Sequence, residues 1–499
     1  MRVDALGVGM VYVPGIEPLL DAREDLVQIL EIEPQTIWID TGDPATPYRP
    51  EPLAFARLID LPQVKIVHGV GFPVGGSRPP DPGHLAPLLE MIDRFDAAWA
   101  SEHLSFNKAV GPDGEFKTGF LLPPRQTPAG VVAAVQSIRS VAPHLPVPFA
   151  VETGVNYLRP RSDEMPDGQF VGAVVEAADC GILLDLHNIW TNERNGRQPV
   201  AEYLSQLPLE RVWEVHVAGG TEFRGYWLDA HTGAIPDELI ALAEMVLPRL
   251  RNLRALIFEM VPTDLLALGI DGARDQLERL HVLWKHVSST AAGGDSWDGG
   301  AAPRPADGDR DDPSDVDLAP STEWEDVLGA LVIGRPLGGR LSDELARDPG
   351  VDLIHSLVCE FRAGMVVQAL QLTSRLLLLE LGEAGFRSLL ESFWSTAPPS
   401  VFKTPEAESF ARFIEEQALD IPCLRDVLAF ERAVMDALVH GNDHVVPFAY
   451  DPLPLLRALA AGRIPDPSLL TPGNFEVEVT ADNEAKLTVQ GLLFGSASG

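Results

Sequence analysis

Residues 181–190 read Gly-Ile-Leu-Leu-Asp-Leu-His-Asn-Ile-Trp, an apolar run that passes into Asp185, His187 and Asn188. A run without polar alternation suits a strand covered on both faces, the habit of parallel sheets. The arrangement recurs along the chain. Apolar runs predict strands over residues 6–13, 36–41, 64–72, 97–106, 148–156, 181–190, 212–219 and 255–260. The last six end in, or run straight into, His68, Glu102-His103, Glu152, Asp185-Leu-His187-Asn188, His216 and Glu259. Asp229-Ala-His231 follows a little beyond the seventh run.

Between the runs lie helical patterns at 17–32, 52–59, 84–95, 128–141, 168–178, 200–207 and 237–250, with a last helix at 263–287. This eightfold alternation has the size and rhythm of a TIM-type (β/α)8 barrel, an α/β fold, over residues 1–287. In such a barrel the strand C-termini open on one face, where active sites sit. The pattern therefore predicts a polar, metal-binding mouth. An open doubly wound sheet is less well supported, because no Gly-x-Gly-x-x-Gly follows the first strand.

Residues 288–321 turn to Ala, Gly, Asp, Pro and Ser and are expected to form a flexible acidic linker. The following 322–499 region is expected to be a second, α+β domain. It reads as mainly helical (323–331, 351–380, 385–395, 406–417 and 423–440), with a terminal β-hairpin of 474–480 and 485–493 about an Asp-Asn turn.

Composition excludes several function classes. With 38 Lys and Arg against 73 acidic residues, the net charge of −35 opposes binding to nucleic acid, since phosphate contacts need cations. Three scattered cysteines (Cys180, Cys359 and Cys423) give no disulfide framework and suit a reducing, cytoplasmic location. The first residues show no signal-peptide pattern, and the apolar stretch near 366–381 holds Gln368, Gln371 and Arg375, so no membrane association is expected. There is no Gly-x-Ser-x-Gly elbow, no His-Glu-x-x-His and no Cys-x-x-Cys.

A single histidine at a strand end is more often structural than a ligand. Five histidines and several carboxylates at strand ends are not explained that way. Neutral histidine binds Fe, Mn, Co or Zn, and carboxylates can bridge two ions. The set exceeds the needs of one ion and implies two or three, with Glu152 central in order and the bridging candidate. Glu102 is left out because strand alternation turns it away from His103, whereas Asp185 and His187 would share a side. His84, His144, His281 and His286 are read as surface groups, and His355, His440 and His444 as structural. Tyr157, Arg159, Asn192 and Arg194 are placed to line a substrate channel.

The succession His68-Gly-Val-Gly, Ser101-Glu-His103-Leu-Ser, Glu152 after an apolar strand, Leu184-Asp185-x-x-Asn188, His216-Val-Ala-Gly, Asp229-Ala-His231 and Glu259 resembles the multinuclear non-haem iron-dependent oxidative enzymes, which include the oxidase of methanobactin biosynthesis. The resemblance covers about residues 1–285. It implies two or three irons of mixed Fe(II)/Fe(III) state, with O2 as co-substrate. It also implies oxidation of a residue, most often Cys, in a ribosomally made precursor peptide. By the same resemblance, His68, His103 and Glu152 hold one iron. Glu152 bridges to a second, held by Asp185 or Asn188, His216 and Glu259. Asn188, Asp229 and His231 serve the third position. Glu152 and His103 are the residues whose loss should abolish activity. Three departures stand out: Thr153 where Asn is usual, His187 where Asn is common, and Gly220 where His is often found. The C-terminal motifs Leu389-Leu-Glu-Ser-Phe-Trp394, Phe410-Ala-Arg-Phe413 and Leu424–Glu431 resemble the helical partner that recognises the peptide leader, which implies a fused recognition module. The alternatives are a trinuclear zinc hydrolase resembling apurinic endonucleases, a divalent-metal sugar isomerase, or a non-enzymatic metal-sequestering protein.

Overall fold

The computed structural model describes residues 5–22, 25–290, 318–464 and 470–480. Eight parallel strands close into a barrel: β1 (Gly7–Val11), β2 (Ile29–Ile32), β3 (Val64–Gly69), β4 (Ala100–His103), β5 (Phe149–Glu152), β6 (Gly181–Asp185), β7 (Val212–Ala218) and β8 (Ala255–Glu259). Each strand pairs with its neighbours in sequence, and β8 closes on β1. Nearly every strand residue is buried, which is why the runs read as continuously apolar. Helices pack around the outside. The helix Pro128–Val141 shows how the sequence starts one: Thr127 accepts a hydrogen bond from the Gly130 N–H, and Pro128 takes the first turn.

Two expected elements are corrected. The second barrel strand is Ile29–Ile32, not residues 36–41. Trp38–Asp40 instead pairs with Tyr48–Pro50 in a small antiparallel sheet beside the barrel. The pattern at 17–32 reads as one helix because Glu31 breaks its last apolar run, but the helix ends at Ala22. The sixth strand stops at Asp185, and Leu186–Arg194 is helical. The cause is local: the Asp185 carboxylate accepts the Asn188 N–H at 2.7 Å and caps the new helix. Strand alternation therefore does not govern Asp185 and His187.

Helix Ala319–Val332 lies on the antiparallel hairpin Phe106–Gly111/Gly114–Leu122, where Trp324 and Leu328 share a core with Phe106 and Leu122. The approach needs glycine at 329, since a Cβ there would stand 2.6 Å from Ala109 Cβ. Polar contacts reinforce it. Glu325 accepts hydrogen bonds from the Ser77 N–H and hydroxyl, both at 2.6 Å, and Arg78 pairs with Asp326 at 2.8 Å. Helices Pro349–Ala369 and Gln371–Thr396, bent by 113°, build a separate core with Lys403–Gln417 and Leu424–His440. No single described helix is long and apolar enough to cross a membrane. A terminal antiparallel pair follows, β9 (His444–Tyr450) with β10 (Pro472–Val479). β10 takes the place of the first expected hairpin arm; the second arm, 485–493, lies outside the described residues. Of the expected linker, residues 288–290 end the helix Pro262–Thr290, 319–321 open Ala319–Val332, and 291–317 lie outside the described residues.

Candidate metal centre

All nine expected ligands meet at the C-terminal mouth of the barrel, in linked clusters. The first forms where β3, β4 and β5 end. The register sets His103 beside Glu152 and His68 beside Ser101. His103 Nδ1 lies 2.9 Å from the Gly69 carbonyl. A carbonyl only accepts, so Nδ1 carries the hydrogen and a neutral ring offers its Nε2 lone pair. His68 Nδ1 is similarly occupied by the Ser101 hydroxyl at 2.9 Å. Both Nε2 atoms converge on Glu152 Oε2, at 3.0 Å from His68 and 2.8 Å from His103. This is the arrangement of ligating histidines, one ring nitrogen steadied by an acceptor and the other turned to the ion.

The second half comes from β6, β7, β8 and the loop after β7. Asp185, His231 and Glu259 bring ligand atoms within 4.8 Å of one another, as do Glu152, Asp185 and His216. His216 Nδ1 lies 3.1 Å from Glu259 Oε2, and His231 Nε2 lies 2.9 Å from Asp229 Oδ1. Asn188 donates from Nδ2 to Glu152 Oε1 at 3.1 Å, and its own carbonyl oxygen is buried without a hydrogen-bond partner among the described residues.

The donor set fits metal ions. His68 Nε2, Glu152 Oε2, Asp185 Oδ2, Asn188 Oδ1 and His231 Nε2 are buried and have no aligned hydrogen bond among the described residues. Unpaired buried polar atoms cost folding free energy, so a cluster of them marks a place filled by something else. The electrostatics agree. Burial, and then the charges of Asp229, Glu259 and Glu152, push the Asp185 carboxyl well above its ordinary pKa. Burial opposes ionisation of Glu152 too, but the neighbouring His103 and His68 overcome it and hold that carboxyl well below. Around Asp185 the acidic neighbours outweigh the histidines, and a cation there would offset them.

Several residues behave differently from expectation. His187 is wholly buried but spends both ring nitrogens elsewhere: Nε2 accepts the Trp227 indole N–H at 3.1 Å, and Nδ1 lies 3.0 Å from Asp229 Oδ1. It steadies Asp229 rather than facing the cluster. A Cβ at Gly220 would stand 2.8 Å from His187 Nε2. Two departures from the family pattern thus meet: the imidazole at 187 uses space that a side chain at 220 would need. The third, Thr153, uses its hydroxyl to accept the Asp185 N–H at 2.9 Å. Glu102 is buried against Gly69 and lines a small cavity with Trp38 and His84. His84, expected at the surface, is buried and stacked on Phe72. Tyr157 and Asn192 are buried and tied to backbone, with Tyr157 accepting the Asp229 N–H at 3.0 Å.

Sequence reasoning missed Glu31 and Glu214, both fully buried beneath His216, and Glu33 at the rim. The available signal was the acidic residue inside each of two apolar runs, Ile29-Leu-Glu31-Ile and Val212-Trp-Glu214-Val.

The family model described as RiPP precursor modification enzyme MbnB/TglH/ChrH matches residues 9–261, about half of the chain and nearly all of the barrel. The chain belongs to this family. The UPF0276 protein of Streptomyces avermitilis is 31% identical over 223 residues, 44% of this chain and 45% of that protein. The UPF0276 protein of Chromobacterium violaceum is 30% identical over 244 residues, 49% of this chain and 83% of that protein. The chain thus spans under half the length of the first relative and most of the second. Among solved structures, a xylose isomerase domain containing protein from Salmonella typhimurium shares 14% identity, covering 57% of this chain and 99% of that chain at a TM-score of 0.38, too loose a likeness to bear on function. The MbnB/TglH/ChrH match ends where β8 and Glu259 end, so the whole mouth belongs to the shared part and the helical region lies beyond it.

Proposed function

We propose that the protein is an O2-dependent multinuclear iron oxidase that modifies a residue, Cys by the resemblance, in a ribosomally made precursor peptide. The observation that carries this reading is the convergence of His68 Nε2 and His103 Nε2 on one oxygen of Glu152, at the centre of a buried group of unpaired donor atoms. His68, His103 and Glu152 would hold one ion. Glu152 would bridge to a second held by Asp185, His216 and Glu259, while Asn188, Asp229 and His231 would serve a third. Bound iron, in a mixed Fe(II)/Fe(III) state, would supply activation of O2 and ionisation of a substrate thiol at neutral pH. The protein's share is positional. Glu152 is oriented by Asn188, Asp229 by His187 and the Tyr157 hydroxyl, and Asp185 by the backbone N–H of Asn188. Half-buried His103 and His231 form the open side, where a peptide side chain would enter.

Residues 322–499 are proposed as the module that recognises the peptide leader. Supporting this is a cleft of about 650 Å3 between the two regions, walled by Asp40–Gly42 on one side and by Arg432, Asp436 and β9 on the other. A recognition module joined to the barrel raises the local concentration of substrate at the mouth. The unpaired cysteines suit a cytoplasmic setting.

Metal analysis with Mössbauer spectroscopy, on protein purified without added metal, tests the reading. Two or three irons per chain, partly Fe(II) and reactive with O2, are expected. Zinc alone, with no iron uptake on anaerobic reconstitution, would overturn it in favour of the hydrolase or isomerase alternatives.

A further inference from the structure

We infer that Glu31 and Glu214 form a buried carboxylate support that fixes His216 with its Nε2–H pointing down the barrel, so that His216 engages its ion through Nδ1 whereas His68 and His103 use Nε2. This rests on the reading of His216 as a ligand. Glu31 on β2 and Glu214 on β7 lie one layer below the ligand cluster, and both are fully buried with His216. His216 Nε2 is 2.9 Å from Glu31 Oε2 and 3.5 Å from Glu214 Oε1. Glu214 is itself oriented by Trp99, whose indole N–H donates to Oε2 at 2.8 Å. The other ring nitrogen, Nδ1, faces Glu259, a member of the ligand set.

A neutral imidazole has one N–H and one lone pair. Both nitrogens of His216 face carboxylates, but Glu259 at Nδ1 belongs to the ligand set: an ion held there would take the Nδ1 lone pair and leave the hydrogen on Nε2, between Glu31 and Glu214. His103 is built in the opposite sense, its Nδ1 donating to a backbone carbonyl. Carboxylate support also makes His216 the more basic ligand, as in other carboxylate–histidine–metal arrangements. The barrel thus carries two kinds of histidine: His68 and His103, whose Nδ1 atoms meet a hydroxyl and a carbonyl at 2.9 Å with the Glu102 carboxylate farther from His103 at 3.7 Å, and His216, whose Nε2 meets a carboxylate at 2.9 Å. An iron bound by His216 would be electronically distinct from one bound by His68 and His103. Glu31 and Glu214 are positioning residues that act only through His216.

The test uses the full chain loaded anaerobically with 57Fe(II). In Glu31→Leu, one Mössbauer doublet should change and affinity for that iron should fall about 10- to 100-fold, while the iron held by His68, His103 and Glu152 is unaltered. Glu31→Gln should restore the affinity but not the doublet, because the amide oxygen accepts the same N–H and carries no charge. If Glu31→Leu does not fold, Glu31→Asp, which cannot reach Nε2, should shift the same doublet. In zinc-loaded, 15N-histidine-labelled protein, NMR should show His216 protonated at Nε2 and metal-bound at Nδ1, with His68 and His103 the reverse. Unchanged doublets in folded Glu31→Leu, or His216 bound through Nε2, would overturn the inference. So would an extra ion lost in Glu214→Gln, which would make Glu31, Glu214 and His216 a cation site. Retention of every iron in His216→Ala would instead sink the ligand reading beneath it.

Discussion

The barrel mouth and the C-terminal core bury charge to similar depth, and they treat it in opposite ways. In the C-terminal region Arg362 donates to Glu406 at 2.6 Å, and the second Glu406 oxygen accepts the Ser400 N–H at 2.9 Å. Glu431 accepts the N–H groups of Leu372 and Thr373 at 2.7 and 2.8 Å, at the start of the helix Gln371–Thr396. Those carboxylates are closed by partners from the chain itself. At the mouth, Asp185 Oδ2, Asn188 Oδ1 and Glu152 Oε2 are left open. The buried carboxylates Glu406 and Glu431 that serve the fold are satisfied within it, whereas those at the mouth keep oxygens open for a ligand.

The strongest way to break this contrast is at Glu152. Glu152→Ala should remove turnover and lower iron content by at least one ion per chain while the protein stays folded, as checked by metal analysis and circular dichroism. Full activity in a folded Glu152→Ala protein would end the metal-centre reading. The opposite outcome belongs to Arg362. Arg362→Ala strands a buried Glu406 and should destabilise by about 3–5 kcal/mol in urea denaturation, with iron content unchanged. Removing metal is the third test. Each ion at about 100-fold over its dissociation constant adds about 2.7 kcal/mol, so a chelator should lower the melting temperature of the native chain, and much less that of a His68→Ala/Glu259→Ala variant. Gly329→Ala sharpens the boundary between the two regions. The added methyl meets Ala109 and Thr118, and overpacking should cost about 1–3 kcal/mol, with the fitted metal affinities unchanged.

The smallest effect is expected from pH. Burial lifts the Glu431 pKa from its ordinary 4.5 to about 7 against its two N–H donors. The folded chain then holds this proton more tightly than the unfolded one. That contribution is fully present below about pH 4.5 and is lost as pH rises toward 7. Glu431→Gln, which cannot titrate, should flatten the stability profile across that window. An unchanged slope would mean that Glu431 is ionised in the fold.

The barrel, and the gathering of nine histidine, carboxylate and amide side chains at its mouth, were legible because parallel strands write themselves as unbroken apolar runs, and the residue after each run must lie at one rim. Glu31 was not legible. Four residues of strand with a carboxylate inside resemble the last turn of a helix, and only the contact with His216 across the barrel shows that Glu31 faces inward. The role of His187 was equally hidden, since Trp227 and Asp229 that hold it lie 40 and 42 residues away.

The amino-acid sequence by itself determined the eightfold alternation, the ring of histidines and carboxylates at strand ends, and the strongly acidic charge. These follow from local patterns, namely apolar periodicity, capping residues and composition. Tertiary structure alone decided which ring nitrogen each histidine presents, which carboxylates stay open, and which acids sit beneath them. Those properties depend on hydrogen bonds between strands far apart in the chain, and a barrel brings such strands together only when it closes.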